Sequence, residues 1–140
     1  MTRKCRTRPW PIWFLVAALL LGGCSGPAEK RAKYFDKGMA LYEQGEHVKA
    51  ALEFKNALQV DPEFARGYLM LGKAQLAQRD IRQAYGAFLK AVELDPGQLD
   101  AQVALGQIFL GSGKVKEARE KADHVLAADP AHEDALLLKA

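Results

Sequence analysis

One cysteine has the residue type and the neighbours that covalent chemistry requires. The chain of 140 residues contains two cysteines, and Cys24 directly follows Leu21, Gly22 and Gly23. A thiolate is a strong nucleophile, so a cysteine can take up a transferred group. The two glycines before it leave the backbone open to an approaching enzyme. Cys24 is therefore the first candidate for covalent modification.

The other reactive side chains form no catalytic or metal-binding pattern. His47, His124 and His132 have no cysteine or carboxylate at a repeating metal-ligand spacing. The sequence contains no G-x-S-x-G, no H-E-x-x-H and no phosphate-binding glycine loop. Residues 111–113, Gly-Ser-Gly, fit a turn between helices instead. We therefore predict a protein that is not an enzyme, with no cofactor, no metal site and no small-molecule substrate.

The segment that positions Cys24 has the anatomy of a secretory signal. Four basic residues between residues 3 and 8 precede an almost uninterrupted apolar run over residues 12–21. A membrane-spanning helix needs about 20 apolar residues, and this run has about half of that. A basic start, a short apolar core and small residues at its end are typical of a signal peptide. We predict a signal peptide at residues 1–23.

The string Leu21-Gly22-Gly23-Cys24 resembles the lipobox of bacterial lipoproteins. The resemblance implies cleavage after Gly23, a diacylglycerol on the Cys24 sulfur and an acyl chain on its new amine, and hence a membrane as partner. It also implies periplasmic exposure, and Ser25 in place of aspartate favours the outer over the inner membrane. The alternative is an ordinary signal peptide or uncleaved anchor in which Cys24 has no role. Residues 24–30 are expected to form a tether, because Gly26 and Pro27 interrupt helices.

The charge of the chain depends on this segment. The formal net charge is +3. Without the four basic residues of the signal, 16 basic and 17 acidic residues remain, which gives a net charge of −1. A basic surface is not expected, so nucleic acid is not predicted as a partner.

Beyond the tether, residue types recur with a period of 34 residues. A fixed period of this length indicates stacked supersecondary units. Apolar residues at helical spacing predict two helices per unit, with units at residues 31–64, 65–98 and 99–132. Asp61 is predicted to cap the next helix and Pro62 to begin it. The recurring residues are Gly38, Gly72 and Gly106, Tyr34 and Tyr68, Phe54 and Phe88, and the Asp-Pro pairs at 61, 95 and 129.

The spacing and residue types resemble tetratricopeptide repeats (TPRs). The resemblance implies an all-α fold, in which helix-turn-helix repeats stack as a right-handed superhelical solenoid. Three residues depart from the family pattern, namely Lys37, Gln102 and Ala122. The last two predict that the third repeat is the most loosely packed. Residues 133–140 are expected to begin a further repeat or a truncated capping helix, at the start of a longer array.

The resemblance also implies a groove on the concave side of the solenoid, where such repeats hold an extended or helical peptide of another protein. The candidate groove residues are Phe35, Met39 and Tyr42, then Leu69, Lys73 and Leu76, then Val103, Gln107 and Leu110. An alternative for the first three is that they seal the start of the array. Some repeats of this kind bind a C-terminal carboxylate through lysine and asparagine side chains. Because Phe35 and Met39 stand at those positions here, a carboxylate-binding site is not expected.

Together these features predict a lipid-anchored periplasmic scaffold that binds other envelope proteins. The string from Phe54 to Pro62, near a lipidated start, resembles TPR lipoproteins associated with exopolysaccharide export and exosortase (PEP-CTERM) surface sorting. One alternative is an assembly factor for type IV pili or outer-membrane proteins. Another is an anchor for a catalytic domain beyond Ala140.

Overall fold

The computed structural model describes residues 26–140. The predicted signal peptide, Leu21, Gly22, Gly23 and Cys24 lie outside the described residues. Within this part of the chain, no helix is long and apolar enough to cross a membrane. In the same range, no group of three or more histidine, cysteine, aspartate or glutamate side chains could hold a metal ion.

The described residues form seven α-helices that pack as consecutive hairpins. Helices α1 and α2, α3 and α4, and α5 and α6 pair within a repeat, and each second helix also contacts the first helix of the next repeat. The last helix, α7, packs on α6 and α5. This is the all-α repeat fold that the 34-residue period predicts. The helices are α1 (Pro27–Glu43), α2 (His47–Val60), α3 (Ala65–Ala77), α4 (Ile81–Leu94), α5 (Leu99–Gly111), α6 (Val115–Ala128) and α7 (Glu133–Lys139).

Glycine and phenylalanine at fixed positions bring the two helices of a repeat together. A Cβ atom added to Gly38 would lie 2.6 Å from the Phe54 ring, and one added to Gly72 would lie 2.6 Å from the Phe88 ring. Both rings are fully buried. The absence of a side chain on the first helix therefore leaves the space that the ring of the second helix fills. The recurrence of these residues every 34 positions thus has a packing reason within each of the first two repeats.

The third repeat fills the same space differently. Ala122 stands where Phe54 and Phe88 stand in the earlier repeats, and it leaves the space over Gly106 open. Leu138 of α7 occupies that space, with its Cδ2 methyl directly over Gly106. Gln102, which replaces the aromatic residue, is buried and accepts a hydrogen bond from Lys121 Nζ at 2.8 Å. The lost phenylalanine is thus partly replaced from the following helix.

The start of α1 differs from the predicted tether. Helix α1 begins at Pro27, with Gly26 as the N-cap residue, so residues 27–30 are helical. Proline is well tolerated at the first helical position, because its missing N–H has no partner within the helix there. The prediction that Pro27 keeps this segment non-helical was wrong, and only residues 24–26 remain available as a tether.

The aspartates that precede proline were also assigned the wrong role. Asp61 ends α2 in an extended conformation, with φ −137° and ψ 95°, and α3 begins only at Ala65. A proline disfavours the helical conformation in the residue before it, which accounts for the end of the helix. The Asp61 carboxylate accepts a hydrogen bond from the Glu63 N–H at 3.1 Å. Asp61 therefore closes a turn after α2, and Pro62 lies in that turn rather than in α3.

Candidate interaction surface

The first helices of successive repeats adjoin one another on one side of the molecule. Lys73 of α3 forms an ion pair with Asp100 of α5, with Nζ and Oδ2 2.7 Å apart. His132, the N-cap residue of α7, places Nε2 3.9 Å from the other oxygen of Asp100. Helix α1 also contacts α3. We call the side formed by α1, α3, α5 and α7 the first-helix face.

The nine predicted groove residues divide into two groups on this face. Phe35, Leu69 and Val103 are buried in the core, so they cannot contact a partner without repacking. Their assignment to a binding groove was wrong, because an apolar residue at that helical position points into the gap between neighbouring repeats. The other six are half-buried or exposed, and they are Met39, Tyr42, Lys73, Leu76, Gln107 and Leu110.

Phe35 seals the first repeat. Its ring lies 5.6 Å from that of Phe54 and 5.0 Å from that of Phe64, the latter in an edge-to-face arrangement. The guanidinium of Arg66 lies 5.2 Å from the Phe35 ring centroid, which places a cation over the aromatic face. For this residue the sealing alternative describes the structure. Tyr42 keeps part of its surface accessible and packs edge-on against His47, at 5.1 Å.

Sequence reasoning missed the polar character of the centre of this face. Asp100 and His132 were not predicted, although they join Lys73 in one network that extends from the second repeat to the start of α7. An ion pair between residues of different repeats leaves no local signal in a periodic sequence. The available signal was the exception: Lys73 stands where the other repeats have Met39 and Gln107. The accessible surface therefore combines apolar side chains with this polar network.

The clearest pKa shifts arise from ion pairs outside the predicted groove residues. Hydrogen bonds from the Arg31 guanidinium and then from the Glu63 N–H lower the pKa of Asp61 below its ordinary value. The guanidinium of Arg31 also lies 4.6 Å from the Phe64 ring centroid. The pKa of Lys90 is raised above its ordinary value, because its ammonium group donates a hydrogen bond to Glu93. The first ion pair joins α1 to the turn after α2, and the second lies on the surface of α4.

Comparison with known families identifies the repeats. Residues 28–140 match the family described as the cytochrome c-type biogenesis protein H TPR domain. The chain belongs to this family of TPR domains. The predicted tetratricopeptide fold is thereby confirmed, and it makes the protein a member of a class whose usual work is protein interaction rather than catalysis.

Curated relatives share the repeats over only part of their own length. The TPR chain is 31% identical over 99 residues to small glutamine-rich tetratricopeptide repeat-containing protein 2 of Mycosarcoma maydis, covering 69% of the chain and 28% of that relative. It is 26% identical over 95 residues to protein bimA of Emericella nidulans, covering 68% of the chain and 12% of that relative. The chain thus spans less than a third of the length of either.

Solved TPR domains have the same fold. The Arabidopsis OM64 TPR domain matches with a TM-score of 0.78 at 24% identity, over 81% of this chain and 94% of that domain. The first TPR domain of Spaghetti (RPAP3), solved with the HSP90 peptide SRMEEVD, matches with a TM-score of 0.77 at 20% identity, over 84% of this chain and 93% of that one. At these identities the likeness concerns the fold.

Proposed function

We propose that this TPR protein is a lipid-anchored scaffold of the bacterial cell envelope that holds a partner protein on its first-helix face. The observation that carries the proposal is the continuity of this face across α1, α3, α5 and α7, with six of the predicted groove residues accessible on it. Similar TPR domains have been solved with bound peptides, which supports a peptide segment of a protein as the ligand.

The anchoring part of the proposal rests on the sequence before the repeats. Cys24 in its lipobox-like context would carry two or three acyl chains, and more than one chain is needed for stable membrane binding. Three residue steps separate Cys24 from the start of α1 at Pro27, which at full extension span about 11 Å. The first repeat would therefore sit against the lipid surface. We propose the periplasmic side of the outer membrane as its location.

Two processes compete for the role of the scaffold. The description of the family favours the biogenesis of c-type cytochromes, which is our first candidate process. Exopolysaccharide export or surface-protein sorting is the second, supported by the string from Phe54 to Pro62. Within that string, Phe54, Ala57 and Leu58 are buried in the core, so packing alone favours these residue types. The string therefore gives weaker support than the family match.

Site-specific photocrosslinking in cells tests the interaction face. A photoreactive residue at Leu110, which is 47% exposed on α5, is expected to give a discrete adduct with an envelope protein. The matched control is Leu89 on the second helix α4, which is 42% exposed. Identical adducts from both positions, or none from Leu110, would rule out the first-helix face as the partner site. The identity of the adduct decides between cytochrome biogenesis and polysaccharide export or sorting.

Acyl labelling tests the anchor independently. Replacing Cys24→Ser is expected to abolish incorporation of labelled fatty acid and to leave the precursor uncleaved. Normal processing and membrane recovery of the variant would contradict the lipoprotein assignment without affecting the crosslinking result.

A further inference from the structure

Successive repeats meet at two equivalent junctions, and each junction has a cleft of about 350 Å³. The clefts lie where the start of one second helix faces the helix-helix turn of the next repeat. Equivalent lining positions differ by 34 residues. In the first junction these positions are Val48, Ala51, Gln75, Gln78 and Asp80. In the second they are Arg82, Tyr85, Phe109, Ser112 and Lys114.

Polar side chains of the second repeat form a hydrogen-bond network along the first junction, and one of them crosses it. Gln75 Nε2 donates to Gln83 Oε1 at 3.1 Å, and Gln83 Nε2 donates to Asp80 Oδ2 at 2.6 Å. Gln78 Nε2 donates across the junction to the carbonyl of His47 at 3.2 Å. These amides bond to one another and to the backbone, so few of their donors remain for a ligand.

The residues that line the second junction do not form such a hydrogen-bond network. Ser112, which replaces Gln78, turns its hydroxyl back to donate to the Ile108 carbonyl of its own helix at 2.8 Å. Tyr85 and Phe109 line the cleft instead, in edge-to-face contact at 5.9 Å. Ile81 at the rim is 53% exposed and also lines an adjoining cleft of about 190 Å³ that reaches Leu76. An accessible aromatic and aliphatic wall thus replaces the amide network.

The charge at the rim differs as well. An aspartate and two lysines line the first cleft, whereas the charged residues that line the second are both cations. Lys114 stands where the first junction has Asp80, and Arg82 where it has Val48. Among residues 26–140, neither cation has a carboxylate oxygen within 4.0 Å. The ammonium group of Lys114 lies 5.8 Å from the Phe109 ring centroid. Glu117, in the first turn of α6, is exposed and makes no such pair with either of them.

We propose that the second-junction cleft binds an acidic segment of a partner protein that inserts one aliphatic or aromatic side chain. The apolar wall would cover that side chain, while Arg82 and Lys114 would pair with carboxylates on either side of it. A basic segment would be repelled at the same rim. The site combines the start of α4 and the turn after α5 with Phe109 of α5, so it adjoins the edge of the first-helix face. Its binding does not depend on the function proposed above.

Peptide binding to the purified full chain in non-ionic detergent tests this site. The probes are fluorescein-labelled pentapeptides with a central leucine, isoleucine, phenylalanine or tryptophan, flanked on both sides by glutamates or by lysines. Fluorescence anisotropy is expected to show tighter binding of at least one glutamate-flanked peptide, by about tenfold over its lysine-flanked counterpart. Raising the salt concentration should narrow that difference, because the rim charges are exposed.

Two variants locate the binding. Lys114→Asp introduces, at an exposed position, the residue that the first junction has at the equivalent Asp80, and it is expected to weaken the glutamate-flanked peptide by at least about fivefold. Lys116→Asp makes the same charge change on α6 outside the cleft, and it should leave the affinity within about twofold, since the added charge is screened there. Phe109→Gln, with folding checked by circular dichroism, should weaken both peptide series.

Three results would overturn the proposal. The first is no binding of any glutamate-flanked peptide at a concentration of about 1 mM, near the weak limit of specific recognition. The second is equal loss of affinity in the Lys114 and Lys116 variants. The third is binding to phosphatidylglycerol vesicles that depends on Lys114 while no peptide binds, which would make the cleft a membrane contact.

Discussion

The second and third repeats contain the same glycine position but fill the space above it from different places. In the second repeat, Phe88 of the paired helix α4 covers Gly72. In the third, the paired helix supplies only Ala122, and Leu138 of α7 covers Gly106. The second repeat therefore fills this space from within its own hairpin. The third depends on a helix that comes after it in the chain.

This difference shows that the stability of the two repeats depends on residues in different parts of the chain. In a stacked array each unit is stabilised by its own hairpin and by its neighbours. The second repeat loses stability when its own residues change. The third should lose stability when α7 changes, although α7 lies outside the 34-residue unit. The two repeats can be separated experimentally by substituting the residue that fills each space.

Removal of the Phe88 ring should have the largest effect. Phe88→Ala leaves a cavity over Gly72, so the free energy of unfolding should fall by about 3–5 kcal/mol. Urea denaturation followed by circular dichroism measures the change. A loss below about 1 kcal/mol would show that the space collapses or that another residue fills it, and the stability of the second repeat would not depend on this ring.

Removal of Leu138 tests the dependence of the third repeat on α7. Leu138→Ala should lower the free energy of unfolding by about 1–3 kcal/mol, which is less than for Phe88 because Leu138 is only half-buried. The matched control is Leu137→Ala in the same helix, where the side chain is 74% exposed. Its effect should stay within about 0.5 kcal/mol. Equal effects of the two substitutions would show that Leu138 adds nothing specific over Gly106.

A phenylalanine at residue 122, as at the equivalent positions of the first two repeats, should have opposite effects on stability with and without Leu138. Ala122→Phe in the otherwise unchanged chain places a ring in the space that Leu138 occupies, and overpacking should cost about 1–3 kcal/mol. In the Leu138→Ala background the same ring should find that space empty and stabilise the third repeat. The two effects therefore have opposite signs, and a double-mutant cycle measures their coupling. Additive effects would mean that the two side chains do not share one space.

The features that recur with the 34-residue period could be predicted from the sequence. Gly38, Gly72, Phe54 and Phe88 recur in register, and their packing follows from the helical spacing alone. The replacement of the third ring by Leu138 could not be predicted, because it joins residues in different units and has no counterpart in the earlier repeats. The sequence showed only that a ring was missing.

The predictions for the candidate surface failed at helix positions that could face either a partner protein or the next repeat. Phe35, Leu69 and Val103 were predicted to line the groove, but packing between helices buries them in the core. Helical spacing gives the side of a helix that a residue occupies, not the distance of the next helix from that side. The network of Lys73, Asp100 and His132 was missed for the same reason. The lipidation of Cys24 remains a prediction.

The turns within the two repeats give the smallest expected difference. Gly113 turns the chain of the third repeat with φ 74°, and Arg79 holds the equivalent position in the second with φ 62°. A residue with a Cβ atom is disfavoured in this left-handed conformation by about 1–2 kcal/mol, whereas glycine adopts it freely. The side chain of Arg79 is exposed, so its removal should lose little packing.

Arg79→Gly should therefore stabilise the chain slightly. The gain in the folded state is partly offset by the greater freedom of glycine in the unfolded chain, which leaves about 0.5–1 kcal/mol. The reverse change in the third repeat, Gly113→Arg, should cost a similar amount, and both are measurable as shifts in the denaturation midpoint. If Arg79→Gly destabilised the chain, the arginine side chain would have to contribute more than its strained backbone costs.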